Sequence, residues 1–160
     1  MNSMRKLAFL APLAVTLAVA ATAQAQPVVN VTVGPDLTRE IKKLGDRDVD
    51  QQISDLQAQV SKALEQAYPG ATADLVLTDL KPNRPTFQQV RDTPGLDPIR
   101  SVSVGGAAVE GQIVTADGRT LPVRFSYFTP NIADVWGFAT WQDAQRAFER
   151  LGNQIEQRRF

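Results

Sequence analysis

The chain offers few side chains for chemistry. Its 160 residues contain no histidine and no cysteine. Within this chain that excludes disulfides, Cys/His zinc sites, thiol nucleophiles, histidine general bases and Ser-His-Asp triads. It also leaves no side chain that normally titrates between about pH 5 and 8. Carboxylates, Lys, Arg, Tyr and hydroxyls remain. Asp79, Asp92, Asp97, Asp117 and Asp134 fall at expected loops or strand ends. Glycoside hydrolysis needs two carboxyls about 5–9.5 Å apart across a cleft. No spacing here selects such a pair, and aspartates favour turns for their geometry alone. A carboxylate-dependent hydrolase of wall polymers is therefore an alternative reading, not the first. Asp46-Arg47-Asp48-Val49-Asp50 alternates oxygen ligands but lacks the downstream glycine and the glutamate that complete a calcium loop. Acids complementing a helix N-terminus explain it. Gly105-Gly106 lies in an expected strand with no helix after it, so it is no phosphate loop. Nothing calls for a cofactor or a metal.

Binding is the better-supported chemistry. Tyr127, Phe128, Trp136, Phe138 and Trp141 crowd a short stretch near the C-terminus. Tyr127 and Trp141 suit the junction between a last strand and a last helix. Trp136 and Phe138, flanked by Asn131, Asp134 and Gly137, either fill that junction too or face a partner or a sugar. A second stretch, Lys81 to Pro98, holds four of the ten prolines together with Arg84 and Arg91. Proline restricts the free loop and so reduces the entropy lost on binding. The candidate contacts are Arg84, Arg91, Trp136, Phe138 and Asp134; the bland reading of both stretches is solvated connection. A third reading is a carrier that holds a small apolar ligand between sheet and helices.

Charge and the N-terminus bound the partners. Met1 to Ala25 reads as a secretory signal peptide: Arg5 and Lys6, then an apolar run from Leu7 to Ala20, then Ala23-Gln24-Ala25 before Gln26-Pro27. The run is short for a spanning helix, so no stable membrane span is expected after cleavage. The location would be periplasmic or extracellular. Seventeen basic and seventeen acidic residues balance; removing Arg5 and Lys6 leaves a slight acidic excess. That argues against nucleic acid, which needs a concentrated positive face. Residues 26–160 suffice for one domain with its own core.

The elements that must position these residues follow from periodicity. Val28 to Val33 alternates as a strand, and Gly34-Pro35-Asp36 ends it. Leu37 to Leu44 suggests a turn or two of helix. Asp48 is expected to cap the clearest helix, with Gln51 returning the bond. Val49, Ile53, Leu56, Val60, Ala63 or Leu64, and Ala67 form its apolar stripe, and Gln52, Asp55, Gln59, Lys62 and Gln66 its wet face. Pro69-Gly70 stops it. Ala71 to Leu80 is apolar on both sides around Leu75-Val76-Leu77, as an interior strand would be. Within the Pro-rich loop, Thr86 to Val90 suggests a helical turn.

Ile99 to Thr115 and Arg119 to Phe128 read as a hairpin. A two-residue Asp117-Gly118 turn would place Glu110 opposite Phe125. A three-residue loop, Ala116-Asp117-Gly118 with Gly118 left-handed, instead aligns Ile113 with Leu121, Gly111 with Val123, Val109 with Phe125 and Ala107 with Tyr127. Glu110 then meets Arg124 on the other face. The second register is the expectation. Gly105-Gly106 would mark a bulge or bend in the first arm, and Pro122 the solvent-facing side of an edge strand or a place near a strand start. Thr140 is expected to cap the last helix with Asp143, along the stripe Trp141, Ala144, Phe148, Leu151 and Ile155. The order β-α-β-β-β-α predicts an α+β two-layer sandwich: a four-stranded sheet with two helices on one face.

Several short runs carry a resemblance. They are Leu77-Thr78-Asp79, Lys81-Pro82-Asn83-Arg84-Pro85-Thr86, Pro94-Gly95-Leu96-Asp97, Val104-Gly105-Gly106-Ala107 and Thr140-Trp141-Gln142-Asp143-Ala144. Together they resemble a group of uncharacterised exported proteins of proteobacteria, envelope domains of unknown function. The resemblance implies a periplasmic location and brings no activity or site with it. The element order also resembles the small α/β domains of envelope assembly factors, such as the amino-terminal domain of the Tol system's periplasmic protein. That likeness is one of architecture alone. The leading expectation is a non-enzymatic domain that binds another envelope component, protein or glycan.

Overall fold

The structure is a computed structural model that describes residues 25–160. The expected signal peptide, apart from its last residue Ala25, lies outside the described residues. Strand β1 (Val28–Val33) leads through Gly34 into helix α1 (Pro35–Leu44), which has proline at its start where no N–H is needed. A sharp corner at Gly45, φ 97°, passes directly into α2 (Asp46–Ala67). Strand β2 (Thr72–Lys81) follows, then the short α3 (Phe87–Asp92), the hairpin β3 (Gly106–Val114) and β4 (Thr120–Phe128), a 3-10 turn (Ile132–Asp134) and α4 (Gln142–Glu156).

The sheet order is β1-β2-β3-β4, with β1 parallel to β2 and the other pairs antiparallel. One sheet face is buried. Ala73, Leu75, Leu77, Ala107, Val109, Ile113 and Val123 meet Leu56, Val60 and Leu64 of α2 and Ala144, Phe148, Leu151 and Ile155 of α4. Asp74, Glu110, Gln112 and Arg124 line the opposite, wet face. This is the α+β two-layer sandwich that the two helical stripes demand. β2 is an interior strand.

The hairpin adopts the three-residue loop. Val109 pairs with Phe125, Gly111 with Val123 and Ile113 with Leu121, and Glu110 lies opposite Arg124 at 3.7 Å. Gly118, at φ 83°, turns the chain, and its N–H bonds the Thr115 carbonyl at 2.8 Å. Pro122 sits exposed on β4, an edge strand.

Several local expectations are corrected. The first hairpin arm begins at Gly106, not Ile99. Residues 99–105 are drawn off the ladder because Asn83 takes the N–H of Ser103 at 2.9 Å and its C=O at 3.3 Å. The bulge lies on β2, and Gly105-Gly106 falls instead where the chain joins the ladder at the start of β3. The β2 register shifts between Leu77 and Asp79, and the Thr78 hydroxyl bonds the Ala108 carbonyl at 3.1 Å. The extra residue turns both Leu77 and Leu80 into the core. α2 starts two residues before Asp48, and no Asp48–Gln51 capping box forms. The Gly45 corner sets that start, and Asp46 and Asp48 simply complement the dipole. Gln52, expected to be wet, is only 2% exposed; the buried arc of α2 is wide enough to include it.

Candidate functional site

The two irregular stretches meet at one end of the sheet, and two polar anchors fix them there. The first is Arg84. Its guanidinium donates to the carbonyl of Ile99 and, at 3.0 Å, to that of Gly137. It also lies 5.2 Å from the centroid of the Phe138 ring. One side chain from the Pro-rich loop therefore holds both the far end of that loop and the aromatic loop. Gly137, at φ 88°, makes the turn that aims its carbonyl at Arg84. Asp97 tightens the Ile99 end by accepting from the N–H groups of Ile99 and Arg100 at 2.8 and 2.9 Å. Those bonds, Arg100's first, hold the Asp97 carboxyl below its ordinary pKa.

The second anchor is a buried network around Asp143, which is 1% exposed. Its carboxylate accepts from Asn83 at 2.5 Å, from Thr129 at 2.6 Å and from Arg146 at 2.8 Å. In return the Asn83 carbonyl oxygen accepts the Asp143 N–H at 2.8 Å, and the Asn83 N–H bonds the Thr140 carbonyl at 2.7 Å. Asn83 thus caps α4 from the Pro-rich loop. This corrects the expected Thr140–Asp143 cap: Trp141 stands at the cap position without a side-chain bond, and Asp143 turns inward. Bonds to a charged acceptor contribute about 1.5–3 kcal/mol each. Gly105 is part of the device, because a Cβ there would lie 2.5 Å from the Asn83 side-chain oxygen.

Arg146 carries the network outward. Its guanidinium lies 5.2 Å from the Trp136 ring centroid and beside the Tyr127 hydroxyl, while Arg150 stacks 4.2 Å from the Tyr127 centroid. Arg146 favours the phenolate and brings Tyr127 below the ordinary tyrosine pKa, against the opposing pull of partial burial. A folded-state pKa below the unfolded one adds stability as pH rises past the folded value, and adds none below it. An alkaline absorbance titration is expected to show Tyr127 ionising earlier than a free tyrosine. In Arg146→Gln the same step should move upward; an unmoved step would remove Arg146 as its cause.

On this scaffold Trp136 is 69% and Phe138 82% exposed. Ile132, on the same loop, and Ile99 are also exposed. Tyr127 and Trp141 instead pack against or into the core. Asp134 stands exposed on the 3-10 turn just before Trp136, where the Asn131 side chain accepts from the Ala133 N–H. Arg91 is placed elsewhere: it bonds Gln88 at 2.6 Å and approaches Asp92, both on α3. The structure sets Arg84 against Phe138 and Arg146 against Trp136, keeps Asp134 on the same loop two residues before Trp136, and leaves Arg91 on its own helix. Sequence reasoning missed Arg146. The signal that could have found it was an Asp143–Arg146 pair three residues apart at a helix start.

The other candidate carboxylates are engaged with neighbours close in sequence. Asp79 pairs with Lys81 at 3.3 Å, Asp92 accepts from Gln88, and Asp117 accepts from Thr115 and Arg119. Thr115 first, then Arg119, holds Asp117 below its ordinary pKa. A general acid needs the opposite shift. Among the described residues no group of three or more acids is arranged to hold a metal ion. Concavities near the loops are open grooves, one of ≈ 490 Å³ against Pro82, Pro85, Leu96 and Val104 and one of ≈ 540 Å³ against Asp36, Glu40 and Lys81. Fully buried side chains such as Leu56, Leu75, Ile113 and Phe148 fill the layer between sheet and helices where a carrier would hold its ligand. No helix of the described residues is long and apolar enough to cross a membrane.

Compared with known protein families and with curated proteins, the chain finds no match. Fold and site together define an α+β domain that presents two exposed aromatic rings on an anchored loop.

Proposed function

We propose that this chain is a non-enzymatic binding domain of the cell envelope, exported through a cleaved leader, and that Trp136, Phe138 and Arg84 form its contact surface. Another envelope component, protein or glycan, is the partner. One observation carries the reading: a loop held by a buried network holds two large rings out in water. An aromatic side chain buries about 150–250 Å² when covered. Leaving two exposed on one loop, each backed by a guanidinium group, is costly without something to cover them. Arg84 and Arg146 each lie against one ring, which fixes the rings before contact and lowers the entropy lost on binding. The leader-like N-terminus and the resemblance to exported envelope proteins support the location.

The test is site-specific photocrosslinking in intact cells from exposed position 132, on the same loop as the rings. A discrete adduct is expected, and Trp136→Ala with Phe138→Ala should abolish it while the melting temperature stays within about 3 °C. Truncating aromatic anchors of this kind typically costs about 2 kcal/mol or more each, some 30-fold in affinity. An adduct that survives the double substitution would refute the surface. Parallel co-sedimentation with purified wall polymer separates glycan from protein.

A further inference from the structure

Among the described residues no strand pairs with the outer edge of β1, which differs in kind from the edge at β4. The Val28 N–H bonds the Ala71 carbonyl at 3.0 Å, and the Gly34 N–H bonds the Leu77 carbonyl at 2.9 Å. Backbone groups alternate sides along a strand. Val29, Val31 and Val33 therefore turn their N–H and C=O groups away from β2. Gln57 of α2 reaches this row, its amide 3.4 Å from the Val29 carbonyl. That single long bond engages one carbonyl of the row and does not reach the outward groups of Val31 and Val33. Ser54 and Ser61, three and four residues along α2 from Gln57, share its face and are uncharged.

Edge strands are usually blunted by charge, proline or a bulge. β4 follows that rule with exposed Pro122 and Arg124. β1 does not: Val-Val-Asn-Val-Thr-Val carries no charge, no proline and no glycine. The pattern from Val29 to Val33 is also the same in both directions about Val31: apolar, polar, apolar, polar, apolar.

We propose that β1 is a homodimer interface, with the β1 strands of two copies paired antiparallel about a two-fold axis through Val31. In that register Val31 lies opposite the partner's Val31, Val29 opposite the partner's Val33, and Asn30 opposite the partner's Thr32. Every outward backbone group on these valines gains a partner. The valines are half-buried against the core within one copy, and pairing joins the two cores into one. Self-pairing brings no like charges together along the strand, and its symmetry suits a second copy better than an arbitrary strand. The contact is isologous and closes on itself. Pro122 and Arg124 guard the remaining edges, so the sheet stops growing at two chains.

Cysteine substitution tests the register cleanly, because the chain has no other thiol. Directly bonded antiparallel partners lie about 5.5 Å apart at Cα, within disulfide reach. Protein purified from cells expressing the full sequence is expected to sediment as a dimer. Val31→Cys should crosslink under mild oxidation. Val33→Cys alone should not, but mixed with Val29→Cys it should. Val31→Pro removes an outward N–H and no bond to β2, so it should give a monomer with unchanged circular dichroism. A monomer at about 100 µM, crosslinking through Val33→Cys alone, or a dimer that survives Val31→Pro would overturn the proposal.

Discussion

Replacing Asp143 with alanine is expected to lower stability by about 3–5 kcal/mol, the range for breaking a buried charged network from one side. Three donors lose their acceptor at once: the Asn83 amide, the Thr129 hydroxyl and the Arg146 guanidinium. Asn83 and Thr129 are themselves buried, so water does not readily replace the carboxylate. Each unsatisfied buried group costs about 1–3 kcal/mol. Arg146 is 24% exposed at its side chain and recovers some solvation, which keeps the total within that range. For a domain of this size the melting temperature should fall by about 10 °C or more. Asp143→Asn keeps the shape and one acceptor oxygen and should cost clearly less. Thermal denaturation by circular dichroism measures both. Equal losses for the two variants would show that packing, not the acceptor, holds the site.

Gly111→Ala is expected to cost a similar amount for a different reason. Gly111 lies in β3 between two partner strands, at φ 145°. A Cβ there would stand 2.2 Å from the Asp74 carbonyl oxygen and 2.9 Å from the Leu75 Cα. Both are backbone atoms of a central strand, so no flexible side chain can yield. The conformational strain is about 1–3 kcal/mol, and the overpacking adds about 1–3 kcal/mol. Gly118→Ala is the contrast: its φ is also positive, 83°, but nothing lies within 4 Å of the added carbon. Strain alone applies there. Urea unfolding of the two variants should separate them, and equal midpoints would refute the steric argument.

Local pattern made much of the fold legible. The hairpin register followed from alternation on both arms and from one glycine able to turn left-handed. The α2 and α4 stripes followed from spacing. What escaped reading depends on partners distant in the chain. Asn83 caps a helix 60 residues later, and no local signal distinguishes that from a Thr140 cap. The bulge at Thr78 is fixed by the Ala108 carbonyl on another strand. The site was half legible. Two aromatic residues separated by one glycine stood out, yet the bond that anchors that glycine comes from Arg84, reaching across from the other loop. The helical stripe places Trp141 in the core, but no local signal decides that Trp136, five residues earlier, faces water.

Asn83, Thr129 and Asp143 come from three distant parts of the chain. Closing such loops has an entropic cost before any contact repays it. The network is complete only when all three parts have come together, so the aromatic surface belongs to the assembled fold. A partner that recognises it recognises a finished molecule: a nascent, truncated or locally opened chain carries the same rings without the arrangement that presents them.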